Sequence, residues 1–268
     1  MTRLRAIVLA GERPGGGALA QALNLPAGVL APLAGRPCIE HVVEALRAAE
    51  CVSDLVLSGP ERTVVDAAPV LTALLDAPDV SWVAPAPGPA ASALAAAGDG
   101  PYPLLLTAGD HGLLSAAIVD GFCRAAARLE ADVVVGLVPH AEVALAYPES
   151  RRTVLRFRDG AYCGSNLFAL LTPASGAALE FWKQVETDRK RPWRIARRLG
   201  VLTLLRYLGG RLGVDAAFAE LSRRSGCRVG WVEVAAARAA VDVDSEADWR
   251  LADRILAADD TAHAHDAP

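Results

Sequence analysis

The sequence predicts an α/β fold, a single Rossmann-like and mostly parallel sheet flanked by helices, with a helical insertion in the C-terminal half. Three observations lead there. Short apolar runs alternate with alanine-rich amphipathic stretches from residue 5 to residue 138. The first apolar run breaks abruptly at LAGERPGGG (9–17). Residues 174–224 lose the strand pattern and read as helical.

In chain order, strands are expected at 5–10, 54–58, 80–84, 103–107 and 132–138, and helices at 39–49, 64–76, 90–97 and 116–129. Strand followed by helix, repeated, is the signature of a parallel sheet covered on both faces. Residues 151–171 read as two strands around the turn dipeptide Asp159-Gly160, and 228–234 as a further strand. In the closing VDVDSEADWRLADRIL, Ser245 is an N-cap and Asp248 the N3 acid of a capping box. One domain is expected over 1–256, with a basic helical insertion at 186–225 and a polar, disordered tail at 257–268.

Composition narrows the function classes. The chain has 268 residues, 53% of them hydrophobic but only 5% aromatic, so its core packs through small side chains. No long apolar segment follows Arg3 and Arg5, and no stretch reaches the roughly 18 apolar residues of a membrane span, so a cytoplasmic location is expected. Cys38, Cys51, Cys123, Cys163 and Cys227 are scattered with no CxxC pair, which argues against a disulfide framework or a zinc site. A net charge of -4 gives no bias toward nucleic acid.

Ligands of such sheets bind beyond the carboxyl ends of the strands. The loop there after the first strand runs through Leu9, Ala10 and Gly11 to Gly15, Gly16 and Gly17. Bare amides between a strand and a helix make a concavity for phosphate, and Arg13 adds a cation; the alternative is a flexible turn. Neither the dinucleotide GxGxxG pattern nor the P-loop GK[ST] is matched.

LAG at 9–11, then VLAPLAGRP (29–37) and the helix CIEHVVEAL, form a pattern that resembles the opening of the MobA-like nucleotidyltransferases. These are proteins of glycosyltransferase-A-like fold, of the nucleotide-diphospho-sugar transferase type, that join an NTP to a phosphate-bearing acceptor. LLLTAGDHGLL (104–114) resembles the family's GDxPL strand end and makes Asp110 a metal ligand. GPAASALAAA (88–97) resembles the base-reading loop, with Ser92 at the matching position. VDVDSEADW (241–249) resembles the acidic DxDTxED segment, with Asp242 and Asp244 as metal ligands. YCGSNLFAL (162–170) resembles the acceptor-side strand, with Asn166 facing the site. The resemblance implies Mg2+, an NTP and a phosphorylated small-molecule or lipid-linked acceptor. It also marks two departures: the usual phosphate-binding lysine is Gly28, and the usual Arg-Met-Gly of the opening loop is replaced by RPGGG.

The chemistry fits acids of this kind. Negative charge builds on the phosphate oxygens as the α-phosphorus is attacked, and magnesium takes a few carboxylates together with phosphate and water oxygens. Residues i and i+2 of a strand share a face, so both Asp242 and Asp244 are expected to point at the ion. The alternative is that Asp110 caps a turn and the C-terminal pair is solvated.

The segment 186–213 concentrates Arg189, Lys190, Arg191, Arg194, Arg197, Arg198, Arg206 and Arg211 beside Trp193, Leu199, Leu202, Leu205 and Tyr207. Such a cluster binds anionic groups, or lies on anionic lipid as an interfacial helix over 189–211, or is a solvated face packed by its apolar side. Arg189, Lys190 and Arg191 are the selected phosphate contacts, since Pro192 puts them just before a helix. His111 is a further phosphate candidate or a structural histidine, and Cys163 is reactive only in an electropositive pocket.

The function expected is therefore Mg2+-dependent nucleotidyl transfer. Two alternatives keep the fold: a glycosyltransferase using a nucleotide-sugar, and a degenerate nucleotide-binding or regulatory protein that has lost the lysine.

Overall fold

A computed structural model describes residues 3–12, 16–98, 100–188 and 191–265, with backbone only at 192, 195, 196, 199 and 260–265. Arg13, Gly15, Arg189 and Lys190, four of the expected site residues, lie outside the described residues.

The first half runs β1 (Leu4–Leu9), α1 (Ala18–Ala22), a short antiparallel pair β2 (Pro32–Leu33) and β3 (Arg36–Pro37), α2 (Cys38–Ala48), β4 (Val52–Ser58), α3 (Arg62–Ala67), α4 (Pro69–Leu75), β5 (Val80–Val83), α5 (Pro89–Ala97), β6 (Leu104–Ala108), α6 (Ala116–Ala126), β7 (Val133–Pro139) and α7 (His140–Ala146). The second half runs β8 (Leu155–Phe157), β9 (Gly160–Leu170), α8 (Ser175–Thr187), α9 (Pro192–Leu199), α10 (Val201–Leu208), α11 (Val214–Ser225), β10 (Val229–Glu233) and α12 (Glu246–His265). The helix expected at 64–76 is two helices, because Ala68 precedes Pro69 and takes extended dihedrals. The last helix continues to His265, into the stretch expected to be a disordered tail.

The eight-stranded sheet has the order β10-β7-β9-β6-β1-β4-β5, with β8 paired to β9. Every neighbouring pair is parallel except those made by β9, which runs against β6, β7 and β8. The N-terminal part of β9 therefore lies at the carboxyl ends of β6 and β7. Alternation sorts β1 to the two faces: Leu4, Ala6 and Val8 join α2, α3, α4 and α6 on one side, and Ile7 joins α5 and α8 on the other.

A third, smaller apolar cluster sits at the carboxyl rim. It joins Leu19 of α1, Ala31, Leu33 and Cys38, Leu113 of the loop after β6, Val241 and Val243, and Leu251 and Ala252 of α12. This cluster ties the two ends of the chain together beneath the candidate site.

Candidate active site

Asp110 is placed by its glycine neighbours. A Cβ at Gly112 would stand 2.8 Å from Cys38 Sγ, and one at Gly109 3.0 Å from Val29 and 3.1 Å from Ala10 Cβ, so only glycines let this turn press on the β1 and α2 segments. Across the turn, Val243 N–H donates to the Asp110 carbonyl at 3.0 Å. Val241 and Val243 point into the rim cluster and leave Asp242 and Asp244 on the outside. The segment is irregular, not a strand, and its two outward aspartates meet different partners.

They divide. Asp244 approaches Asp110 closely enough to hydrogen-bond its carboxyl. Burial, first, and then the charge of Asp244 push the Asp110 carboxyl up to about 7, with a further contribution from Glu12. Asp110 Oδ1 is shielded from solvent and has no hydrogen-bond partner among the described residues. A buried carboxylate oxygen without a partner, in a carboxyl that a second acid approaches, is the kind of donor a hard divalent cation satisfies.

Asp242 has a different partner. The Arg152 guanidinium, its side chain 8% exposed, forms ion pairs with both Asp242 and Asp248 and donates to the Asp242 carbonyl at 3.2 Å. Its charge also acts on Asp244 and Asp110. The other Asp242 oxygen accepts from Asn166 Nδ2 at 3.4 Å. Asn166 sits where the β7–β9 register shifts, in the left-handed region at φ 53°, and this irregularity aims its side chain at the rim. The Ser245 and Asp248 capping pair is present: Asp248 N–H donates to Ser245 Oγ at 3.3 Å, and Ser245 Oγ donates to the Asp248 carboxylate at 2.6 Å.

The remaining expected residues fall out unevenly. Leu9 and Ala10 are fixed by the sheet, Leu9 accepting from Gly109 N–H and Ala10 donating to Ser58, both at 2.8 Å. Gly11, Gly16 and Gly17 border the loop, but α1 behind them is only five residues long. Ser92 is buried, and its hydroxyl serves its own loop, accepting from Ala86 N–H at 3.0 Å and facing the Ala86 carbonyl at 3.3 Å. Arg191 is exposed at the N-cap of α9. His111 is fully buried, pushed down to about 4 chiefly by desolvation, so it is a core imidazole and not a phosphate contact. Cys163 is also buried, and burial pushes its thiol up, away from reactivity.

A family model described as the MobA-like NTP transferase domain matches residues 29–173. The chain belongs to the MobA-like NTP transferase family. A solved structure of a hypothetical transferase from Thermus thermophilus is similar at 30% identity, covering 92% of this chain and 100% of the other, with a TM-score of 0.76. Two more distant structures share the fold. They are the 4-diphosphocytidyl-2C-methyl-D-erythritol synthase of Anaerococcus prevotii (12% identity, 96% and 99% covered, TM-score 0.56) and a CMP:2-keto-3-deoxy-manno-octonic acid synthetase complexed with CTP (14% identity, 97% and 100% covered, TM-score 0.56). No curated protein matches.

Within this MobA-like chain, the departure at Gly28 has a structural counterpart. Gly28 N–H donates to Glu12 Oε2 at 2.7 Å, and the same carboxylate lies where a Cβ on Gly17 would stand, at 2.8 Å. An acid thus occupies the ground beside the position where the resemblance implies a lysine. Glu12, Arg152 and Asp248 were not singled out as site residues from the sequence. Glu12 lies within the glycine loop, Asp248 reads as a cap, and Arg152 in PESRRTV carries no signal of its own.

Proposed function

We propose that this chain is a Mg2+-dependent nucleotidyltransferase that couples an NTP to a phosphorylated small-molecule or lipid-linked acceptor. An acceptor phosphate oxygen attacks the α-phosphorus, the bond from that phosphorus to the bridging oxygen of the β-phosphate breaks, and pyrophosphate leaves with the electron pair. The observation that carries this reading is that Asp244 and the buried Asp110, whose Oδ1 has no hydrogen-bond partner among the described residues, meet at the carboxyl rim of the sheet.

Asp110 and Asp244 are the residues that would hold the ion. Magnesium held by two carboxylates takes its remaining oxygens from phosphate and water. When bound, Mg2+ supplies positive charge against the charge growing on the phosphate oxygens. Arg152 keeps Asp242 and Asp248 neutralised, so that Asp244 alone of the C-terminal acids is turned toward Asp110. Ser92 stiffens the 86–92 loop, beside which the base would lie. Catalysis of this kind is positioning and charge stabilisation, with no covalent intermediate.

The regulatory alternative has one observation in its favour, the Glu12 carboxylate on Gly28 N–H in place of an ammonium. Pyrophosphate release separates the two. The assay takes each NTP, beginning with CTP because a neighbour of the same fold binds it, with phosphorylated sugars, alditols and polyprenyl phosphates as acceptors. Release that requires Mg2+ and disappears in Asp110→Asn supports the transferase. Nucleotide binding with no release from any pair overturns it in favour of the regulatory reading.

A further inference from the structure

The basic insertion is attached to the sheet by an unusual side of itself. On α10, Tyr207 turns inward: its hydroxyl accepts from Arg156 N–H at 3.2 Å, and its ring meets Phe157 at 5.8 Å. Phe157 contacts Tyr162, which contacts Trp231, which stacks on Phe218, so a line of rings fixes the insertion to the β8–β9 hairpin and α11. Three leucines face the other way. Leu202, Leu205 and Leu208 are 70%, 60% and 72% exposed, Val201 is 56% exposed, and α10 has no buried residue at all. A solvated helix packed by its apolar side would show the reverse.

Along the chain the charge flanking this stripe has one sign. From Arg191 to Val214 the sequence holds six arginines and no acid. Arg194 and Arg198 pair back to Asp188 at the end of α8, while Arg197, Arg206 and Arg211 are exposed with no carboxylate partner among the described residues. Trp193, 59% exposed, carries Arg194 and Arg197 over its ring at 5.1 and 5.8 Å. Exposed leucines flanked by arginines, with a tryptophan among the cations, match the chemistry of a layer that is anionic at its surface and apolar just below. A second copy of the chain is a poor occupant, because a twofold contact through this face would set arginines against arginines.

We propose that the exposed face of α9 and α10 docks on an anionic lipid bilayer, with Val201, Leu202, Leu205 and Leu208 entering the acyl boundary and Trp193, Arg197, Arg206 and Arg211 at the headgroups. No helix among the described residues is long and apolar enough to cross a membrane, so the contact is peripheral. The insertion is tied to the body of the fold at both ends. Glu186 of α8 accepts from Ala90 N–H at 3.3 Å at the start of α5, and Leu212 accepts from Arg158 N–H at 2.8 Å at the hairpin.

The test is co-sedimentation of the full chain with vesicles of phosphatidylcholine alone and of phosphatidylcholine with an equal amount of phosphatidylglycerol, at low and high salt. Binding to the second and not the first is expected, weakened by salt, and falling about fivefold for each of Arg206→Gln and Arg211→Gln. The combined variant Leu202→Ser, Leu205→Ser, Leu208→Ser, whose sites are exposed and whose melting temperature checks the fold, loses at least about tenfold. Absence of binding to the anionic vesicles, binding unchanged in the serine variant, or a dimer in light scattering that the serine variant dissolves would each overturn the proposal. Pyrophosphate release plays no part in this assay, so its outcome is independent of the catalytic reading.

Discussion

Arg152 and Asp242 form an ion pair at the carboxyl rim of the sheet, and that pair distinguishes the two outward aspartates of VDVD. Asp242 is neutralised by the guanidinium and accepts a hydrogen bond from Asn166, whereas Asp244 meets Asp110, whose Oδ1 has no partner among the described residues. Two acids two residues apart thereby have different partners, one paired within the segment and one beside Asp110.

Removing the guanidinium is expected to be costly. Arg152→Met strands two carboxylates beside Asp244 and should destabilise the fold by about 3 kcal/mol, while Arg152→Lys recovers only part, since an ammonium lacks the fork that spans Asp242 and Asp248. Urea denaturation of both variants measures this, and equal stability of Arg152→Met and wild type would remove Arg152 from its positioning role.

Asp110 links pH, stability and turnover. Its folded pKa, about 7, lies above the ordinary carboxyl value of 3.8, so its contribution to stability is full below 3.8 and is lost as pH rises through 7. In metal-free buffer the wild type should melt lower at about pH 8 than at about pH 5 on account of this group, and Asp110→Asn should flatten that part of the profile. The same variant should release pyrophosphate about 100-fold more slowly or worse.

Gly28→Lys tests the acid at the lysine position. A Cβ there would meet Glu12 Oε2 at an ordinary 3.5 Å, so the substitution fits the backbone. An ammonium that draws Glu12 aside and meets phosphate should raise the rate about tenfold. A rate unchanged in steady-state assays would mean that another cation already fills the role.

Gly59 supports the glycine loop from below. It has φ 84°, and a Cβ would stand 2.7 Å from the Gly11 backbone. Gly59→Ala therefore should cost roughly 1–3 kcal/mol in thermal unfolding and raise KM for the NTP by displacing Gly11. A loss of stability with KM untouched would separate Gly11 from the nucleotide.

Far from the site, Asp132 closes the sheet edge. It accepts from Thr172 Oγ1 at 2.8 Å and from Arg228 at its backbone N–H (2.8 Å) and its guanidinium, and Arg228 holds its carboxyl well below the usual range. Its stabilisation is present above about 3.8 and fades as acid reaches its lowered value. Asp132→Asn should lower stability near neutrality by about 1–2 kcal/mol and lose this acid-sensitive component in a pH titration of the fold.

The sheet was legible because its information is local. Strands at 5–10, 54–58 and 132–138 agree within two residues with β1, β4 and β7, since apolar runs bounded by turns have few other structures open to them. The family was legible because its motifs stand in order along the chain. Contacts between distant segments were not: Glu12 reaching Gly28, and Arg152 reaching Asp242 across 90 residues, leave no mark in either stretch read alone.

Composition and order by themselves determined an α/β nucleotidyltransferase-like chain with an arginine-rich insertion. Folding decided which of its acids meet, and which way the insertion's leucines face. The reason is physical: hydrophobic periodicity fixes where a side chain sits on its own element, but a carboxylate's partner, and so its charge state, depends on what other elements bring within a few ångströms of it.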